Sequence, residues 1–197
     1  MRCNMLAVAI MVVVAGTLII PTRGKADDES ESRIKRGFEI APVKLNLIEK
    51  NRALVGLDSY LVNAVGGCND CHTTPNYAAR GNPFQGQPKQ VNVAGYLAGG
   101  RLFNPPGVVS RNLTPDKTGL PEGGVMFDVF LKTMRTGFDR IQAHPVLSPL
   151  LQVMPWPVFQ DMTDHDLRAV YEYLRAIPCI EDPPNVPNAR PVGTRCK

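Results

Sequence analysis

The chain has 197 residues, 44% of them hydrophobic and 20% charged, which is enough for one ordinary domain with appendages and too apolar for a disordered chain. Eighteen prolines and seventeen glycines argue against a continuous helical bundle and for short helices joined by loops. The formal charge of +4 is not a nucleic-acid signature, because no basic stripe with interleaved aromatics accompanies it.

Much of that charge lies at the N-terminus. Arg2 precedes an apolar run over 5–20, Pro21 breaks the run, and Gly24-Lys25-Ala26 offers small residues for cleavage. Residues 1–26 read as a secretory signal peptide, so the protein is expected outside the cytoplasm. The rival is an uncleaved membrane anchor, for which the run falls short of the roughly 20 apolar residues that span a bilayer. Membrane contact is expected only if that segment is retained. It holds Arg2, Arg23 and Lys25 and no acid, so its removal leaves 19 bases against 18 acids.

Asp27 to Arg36 is dense in charge and serine without an apolar period, and 27–50 is expected to be a flexible lead-in. A main domain is expected over 51–178. Leu54, Leu57, Leu61 and Val65 recur at helical spacing and predict a helix over 53–65, which Gly66-Gly67 ends. Residues 73–124 are rich in Gly, Pro and Asn and read as a long wrapping region of loops and turns. So long an irregular stretch needs something rigid to pack against. Phe127, Phe130, Leu131 and Met134 predict a helix over 126–136, stopped by Gly137. Thr163 is the expected N-cap of a helix over 164–176, whose stripe is Leu167, Val170, Tyr171, Leu174 and Ile177. The Pro-rich tail over 179–197 is expected to lie extended on the surface. Cys179 and Cys196 are a candidate disulfide within it, as an exported chain meets an oxidising compartment.

The strongest signal is Cys68-Asn69-Asp70-Cys71-His72. C-x-x-C-H is a haem attachment pattern: one turn of chain presents two thiols to the haem vinyl groups, and the next residue offers an imidazole to the iron. A thiol redox pair would need a thioredoxin-like setting, and half a zinc site would need a second close ligand pair; neither is visible. One covalently held haem c is therefore expected, with His72 as an axial ligand. For the sixth position the candidates are Met126, Met134, Met154 and Met162, with His144 as a bis-histidine alternative. Met154 stands out because Pro155 and Pro157 stiffen the stretch Val153-Met154-Pro155-Trp156-Pro157. His165, in the first turn of a helix, reads as a solvated surface residue.

Tyr60-Leu61-Val62, Gly66 to Thr73, Asn112-Leu113-Thr114-Pro115-Asp116, Phe130 to Gly137, Met154-Pro155-Trp156-Pro157 and Asp166 to Pro178 together resemble class I c-type cytochromes. Over about residues 53–184 they are similar to the periplasmic cytochromes c and cytochrome subunits that serve dehydrogenases of alcohols and related substrates. The resemblance implies a small all-α cytochrome c fold, with short helices and long loops around one haem. The helix ending at Gly66 would cross the helix over 164–176. It implies Met154 as distal ligand and places Arg111, Asn112 and Trp156 in the haem pocket, with Arg111 or Asn112 near a propionate. The family's tryptophan before the second helix has no counterpart here; that place falls near Val125.

The function expected is single-electron transfer without substrate chemistry, as a periplasmic shuttle or as a dehydrogenase subunit. The partners would be redox proteins: a dehydrogenase as donor, a terminal oxidase or another cytochrome as acceptor. The alternative is a haem enzyme or sensor with an open sixth site, reducing peroxide or binding a gas; it would require Met154 to stay off the iron.

Overall fold

A computed structural model describes residues 25–105, 107–139, 149–184, 186 and 189–197. Residues 1–24 of the expected signal segment, and His144, lie outside these. Among the described residues no helix is long and apolar enough to cross a membrane.

The segment expected to be a flexible lead-in is instead a helix, α1, over Lys25–Ile40. Its charges pair along its exposed side, Arg33 with Glu29 and Arg36 with Glu39. Ile34, Gly37 and Phe38 turn the other way, onto Gly56 of α2 (Arg52–Tyr60). The backbones nearly touch there: a Cβ on Gly37 would lie 1.8 Å from the Gly56 carbonyl oxygen. Ser59 Oγ donates to the Gly37 carbonyl at 2.6 Å. A contact made by glycines carries no apolar period, which is why the sequence hid it. Beyond α1 the chain stays attached, with the Asn46 amide donating to the Ala176 carbonyl at 2.8 Å.

Asn51 caps α2 by accepting from the Ala53 and Leu54 amides. The predicted helix continues through a wider π turn over Leu61–Val65, closed by a 2.6 Å bond from the Gly66 amide to the Leu61 carbonyl. Gly67 then takes a left-handed φ of 58°, and α3 (Cys68–His72) starts at once. Loops follow, as expected, with one addition. A two-stranded antiparallel ribbon joins β1 (Leu102–Phe103) to β2 (Val108–Val109), with Leu102 opposite Val109. Two-residue strands are too short to show a period. A single turn, α4 (Pro121–Gly124), holds Glu122 and Gly123 at positive φ. The remaining helices are α5 (Phe127–Thr136), α6 (Trp156–Phe159) and α7 (Asp164–Ala176), and Thr163 Oγ1 caps α7 on the Asp166 amide at 3.1 Å.

The described residues are thus mostly helical, with loops and a small ribbon. α7 is the axis of the core: it packs against α2 on one side and α5 on the other. Leu167, Tyr171, Leu174 and Ile177 of its predicted stripe are buried, and Phe130 and Met134 meet them from α5. On α2 the buried face is Val55, Gly56, Asp58 and Ser59, and Val62 continues it in the π turn. The expected stripe of Leu54, Leu57, Leu61 and Val65 is only partly covered, and Val65 is exposed. The small Gly56 and Ser59 rotate the helix so that α1 can approach.

Candidate functional site

Gly67 turns the chain so that α3 follows the π turn directly, and α3 brings Cys68, Cys71 and His72 to the wall of one cavity of ≈ 220 Å³. Leu61, Val62 and Val65 from the π turn, Phe103 and Val108 from the ribbon, Met134 from α5 and Val170 from α7 add apolar walls. Met154 lines the same cavity from the opposite end of the sequence.

Met154 is brought there by tertiary contacts. Phe138 pairs with Leu150 in a β-bridge, and the Leu151 amide donates to the Gly137 carbonyl at 2.8 Å. After Met154, the Trp156 ring sits on Gly137, where a Cβ would lie 2.3 Å from it. Arg135 clamps the next turn: it donates to the Met162 carbonyl at 2.6 Å and pairs with Asp164 at 2.6 Å. The clamp carries no sequence signal beyond a basic residue in a helix's last turn.

His72 is oriented by backbone. Its Nδ1 lies 2.8 Å from the Arg111 carbonyl oxygen. A carbonyl can only accept, so Nδ1 carries the proton and Nε2 holds the free lone pair. Burial lowers the His72 pKa from its ordinary value and so favours the neutral ring, partly offset by that hydrogen bond and by the Glu122 carboxylate. Fixing one ring nitrogen on a carbonyl is how proteins orient a metal-binding histidine. Cys68 and Cys71 are free thiols. Burial, and then the nearby Asp58 carboxyl, push the Cys68 thiol up to about 12. Such a thiol is a poor thiolate nucleophile, which speaks against a thiol redox pair. Among the described residues no three His, Cys, Asp or Glu side chains gather as a metal cluster.

Arg111 also lines the cavity. Its guanidinium is held by Glu122 at 2.9 Å and by Asp139. Burial depresses the Arg111 pKa, but the two carboxylates outweigh it and the net shift is upward. Sequence reading found the arginine and missed both acids; Glu122 sits in a turn without periodicity, and Asp139 just past a helix.

Two expected pocket residues lie elsewhere. Asn112 is buried but faces the tail: its Nδ2 donates to the Ile180 carbonyl at 3.0 Å and to Asp182 Oδ1 at 2.9 Å. Trp156 is not on the cavity wall, because its ring is spent covering Gly137. The tail explains the first displacement. Cys179 and Cys196 are joined by a disulfide, with Cα atoms 5.7 Å apart. Beside it Arg195, only 4% exposed, pairs with Asp182 at 3.2 Å and donates to the Thr114 and Asn112 carbonyls. The tail is therefore partly buried rather than simply laid on the surface.

Haem fits this arrangement on chemistry: two free thiols, a neutral imidazole with a free nitrogen and a thioether share an apolar cavity. Over 127 residues, 64% of this chain, the sequence is 32% identical to the gluconate 2-dehydrogenase cytochrome c subunit of Pantoea cypripedii. This chain resembles a cytochrome c subunit of a dehydrogenase. The alignment covers 23% of that relative's length, so the cytochrome-like chain corresponds to about a quarter of it. No protein-family model and no solved structure matches the chain.

Proposed function

We propose that the chain is a mono-haem c-type cytochrome with a class I fold, exported to the periplasm, where it transfers single electrons as a dehydrogenase subunit or a shuttle. The observation that carries this reading is that Cys68, Cys71 and His72, and Met154 from a distant part of the sequence, line one apolar cavity. Cys68 and Cys71 would hold the haem vinyl carbons through thioethers, and His72 and Met154 would take the axial positions. When bound, haem supplies a one-electron ferric/ferrous couple. The Arg111 carbonyl holds the His72 ring in one tautomer and orientation. Pro155, the Trp156–Gly137 contact and the Arg135 clamp hold the Met154 segment, which limits reorganisation between the two redox states. The apolar walls exclude water. Met154 on the cavity wall favours a carrier over a site with an open sixth position. The similarity to a gluconate dehydrogenase subunit supports a dehydrogenase as donor.

The test is the absorption spectrum of the chain expressed with haem-attachment machinery. Wild type should carry covalent haem with a weak sulfur-to-iron band at long wavelength, lost in Met154→Ala. An unchanged mutant spectrum rules out Met154 as ligand. Carbon monoxide binding readily to reduced wild type would favour the enzyme or sensor.

A further inference from the structure

We propose that Glu122 lowers the redox potential of the chain: its carboxylate, on the wall of the apolar cavity, cancels the charge of Arg111 there and so favours the oxidised state of bound haem. The inference rests on the haem reading above and goes beyond it, to the residue that tunes the couple. The step is the transfer of one electron from the redox partner to the haem, and no bond in the chain forms or breaks.

Among the described residues that line the apolar cavity, only Arg111 and Glu122 carry a full charge, because burial keeps His72 neutral. They meet at 2.9 Å, with the Glu122 side chain 12% exposed and that of Arg111 17% exposed. Both also line a second, polar cavity of ≈ 200 Å³, which Asp182, Arg190 and Arg195 bound from the tail. The pair is thus the charged part of a wall common to the two cavities. Asp139 holds Arg111 as well but lines neither cavity, so Glu122 is the carboxylate on the wall.

The backbone supports a role for this side chain. α4 runs Pro121-Glu122-Gly123-Gly124, and φ is 52° at Glu122, 86° at Gly123 and 105° at Gly124. Glycine takes such angles freely, whereas a residue with a Cβ takes them at a cost. Another glycine would be the relaxed choice at 122, yet the chain carries a glutamate whose side chain reaches Arg111. Strain held in place by its surroundings points to use of the strained residue. Here the surroundings are Arg190, which donates to the Gly123 carbonyl at 2.9 Å, and the Val125 amide, which donates to the Pro121 carbonyl at 2.9 Å.

A guanidinium alone at an apolar wall stabilises an added electron, and a carboxylate beside it removes that advantage. Both groups are mostly covered, so solvent and salt screen them little. The His72 ring is held by the Arg111 backbone carbonyl, a bond that does not depend on the Glu122 charge.

The test is the midpoint potential of the haem-loaded full chain, measured by spectroelectrochemistry for wild type, Glu122→Gln, Arg111→Gln and Glu172→Gln. Glu172 is the control: it pairs with Arg175 at 3.0 Å, is also 12% exposed, and lines neither cavity. Glu122→Gln should raise the potential by on the order of a tenfold change in the redox equilibrium, 59 mV for one electron. Arg111→Gln should lower it, and Glu172→Gln should stay near wild type. Loosened packing would admit water in either member of the pair and move both potentials the same way. Shifts of the same sign in Glu122→Gln and Arg111→Gln therefore overturn the proposal, as does a Glu122→Gln potential no higher than that of Glu172→Gln. Should Glu122→Gln alone fail to load haem, it is added to Arg111→Gln, where no guanidinium is left stranded. The potential should then rise by a similar factor over Arg111→Gln, and no rise overturns the proposal. Failure of every Glu122 variant to load haem also overturns it, since the residue would then be holding the cavity together. A wild-type chain without covalent haem would instead sink the haem reading itself.

Discussion

The two sides of the cavity are held by different physics. On one side α2 packs on α7 with α5 beyond it, through Val55, Val62, Leu167, Leu174 and Phe130 and an uncharged hydrogen-bond net of Asn63, Tyr96 and Tyr173. On the other, the loops over 97–125 and the tail are pinned by charge: Arg111 with Glu122 and Asp139, Arg195 with Asp182, and a disulfide beside them. Short loops with few apolar residues cannot bury enough area to order themselves, so directional bonds and a covalent link do it. Asp58 is the exception on the apolar side: a buried carboxyl in a helix, without the partners that Glu122, Asp139 and Asp182 have on the loop side.

The sharpest way to break the comparison is to remove one member of a buried pair. Arg195→Ala strands Asp182 and should cost about 3–5 kcal/mol, read as a lower urea midpoint with unchanged slope. Arg195→Met with Asp182→Leu should recover most of that loss, because two apolar groups leave no charge unpaired. Leu167→Ala, on the apolar side, should cost about 2–5 kcal/mol from the cavity it opens, and no charge swap should rescue it. Cys196→Ser should cost about 3 kcal/mol in the same measurement, since the bridge closes a loop between residues 17 apart.

Asp58 should appear as a pH effect. Its folded pKa is raised, so the native state keeps a proton that the unfolded chain releases. Stability should therefore be greatest below the ordinary carboxylate pKa and fall as pH rises toward the folded value. Asp58→Asn should flatten that part of the curve; an unchanged curve would mean that Asp58 finds a partner in solution. The smallest effect is expected at the α7 cap, where Thr163→Ala should cost about 1 kcal/mol.

Three helices and the attachment pattern were legible in the sequence because their codes are local: an apolar stripe, a capping threonine, a stopping glycine, and five consecutive residues for the cysteines and histidine. Its flanking prolines set Met154 apart from the other methionines in the sequence, whereas the cavity wall carries Met134, Met154 and Met162 alike. α1 was not legible, because it is recognised by the close approach of Gly37 to Gly56 rather than by a stripe of its own. The contacts of Asn112 with the tail and of Trp156 with Gly137 were not legible for a related reason: they join residues far apart in the chain or replace a side chain that glycine lacks.

The sequence by itself determined where the helices run and which short stretch presents two thiols and an imidazole. Only the tertiary structure decided which buried charges meet. It set Glu122 and Asp139 on Arg111, Asp182 on Arg195, and nothing on Asp58. Such pairs join residues far apart in the chain through side-chain reach and desolvation, and neither quantity has a period that a sequence can display.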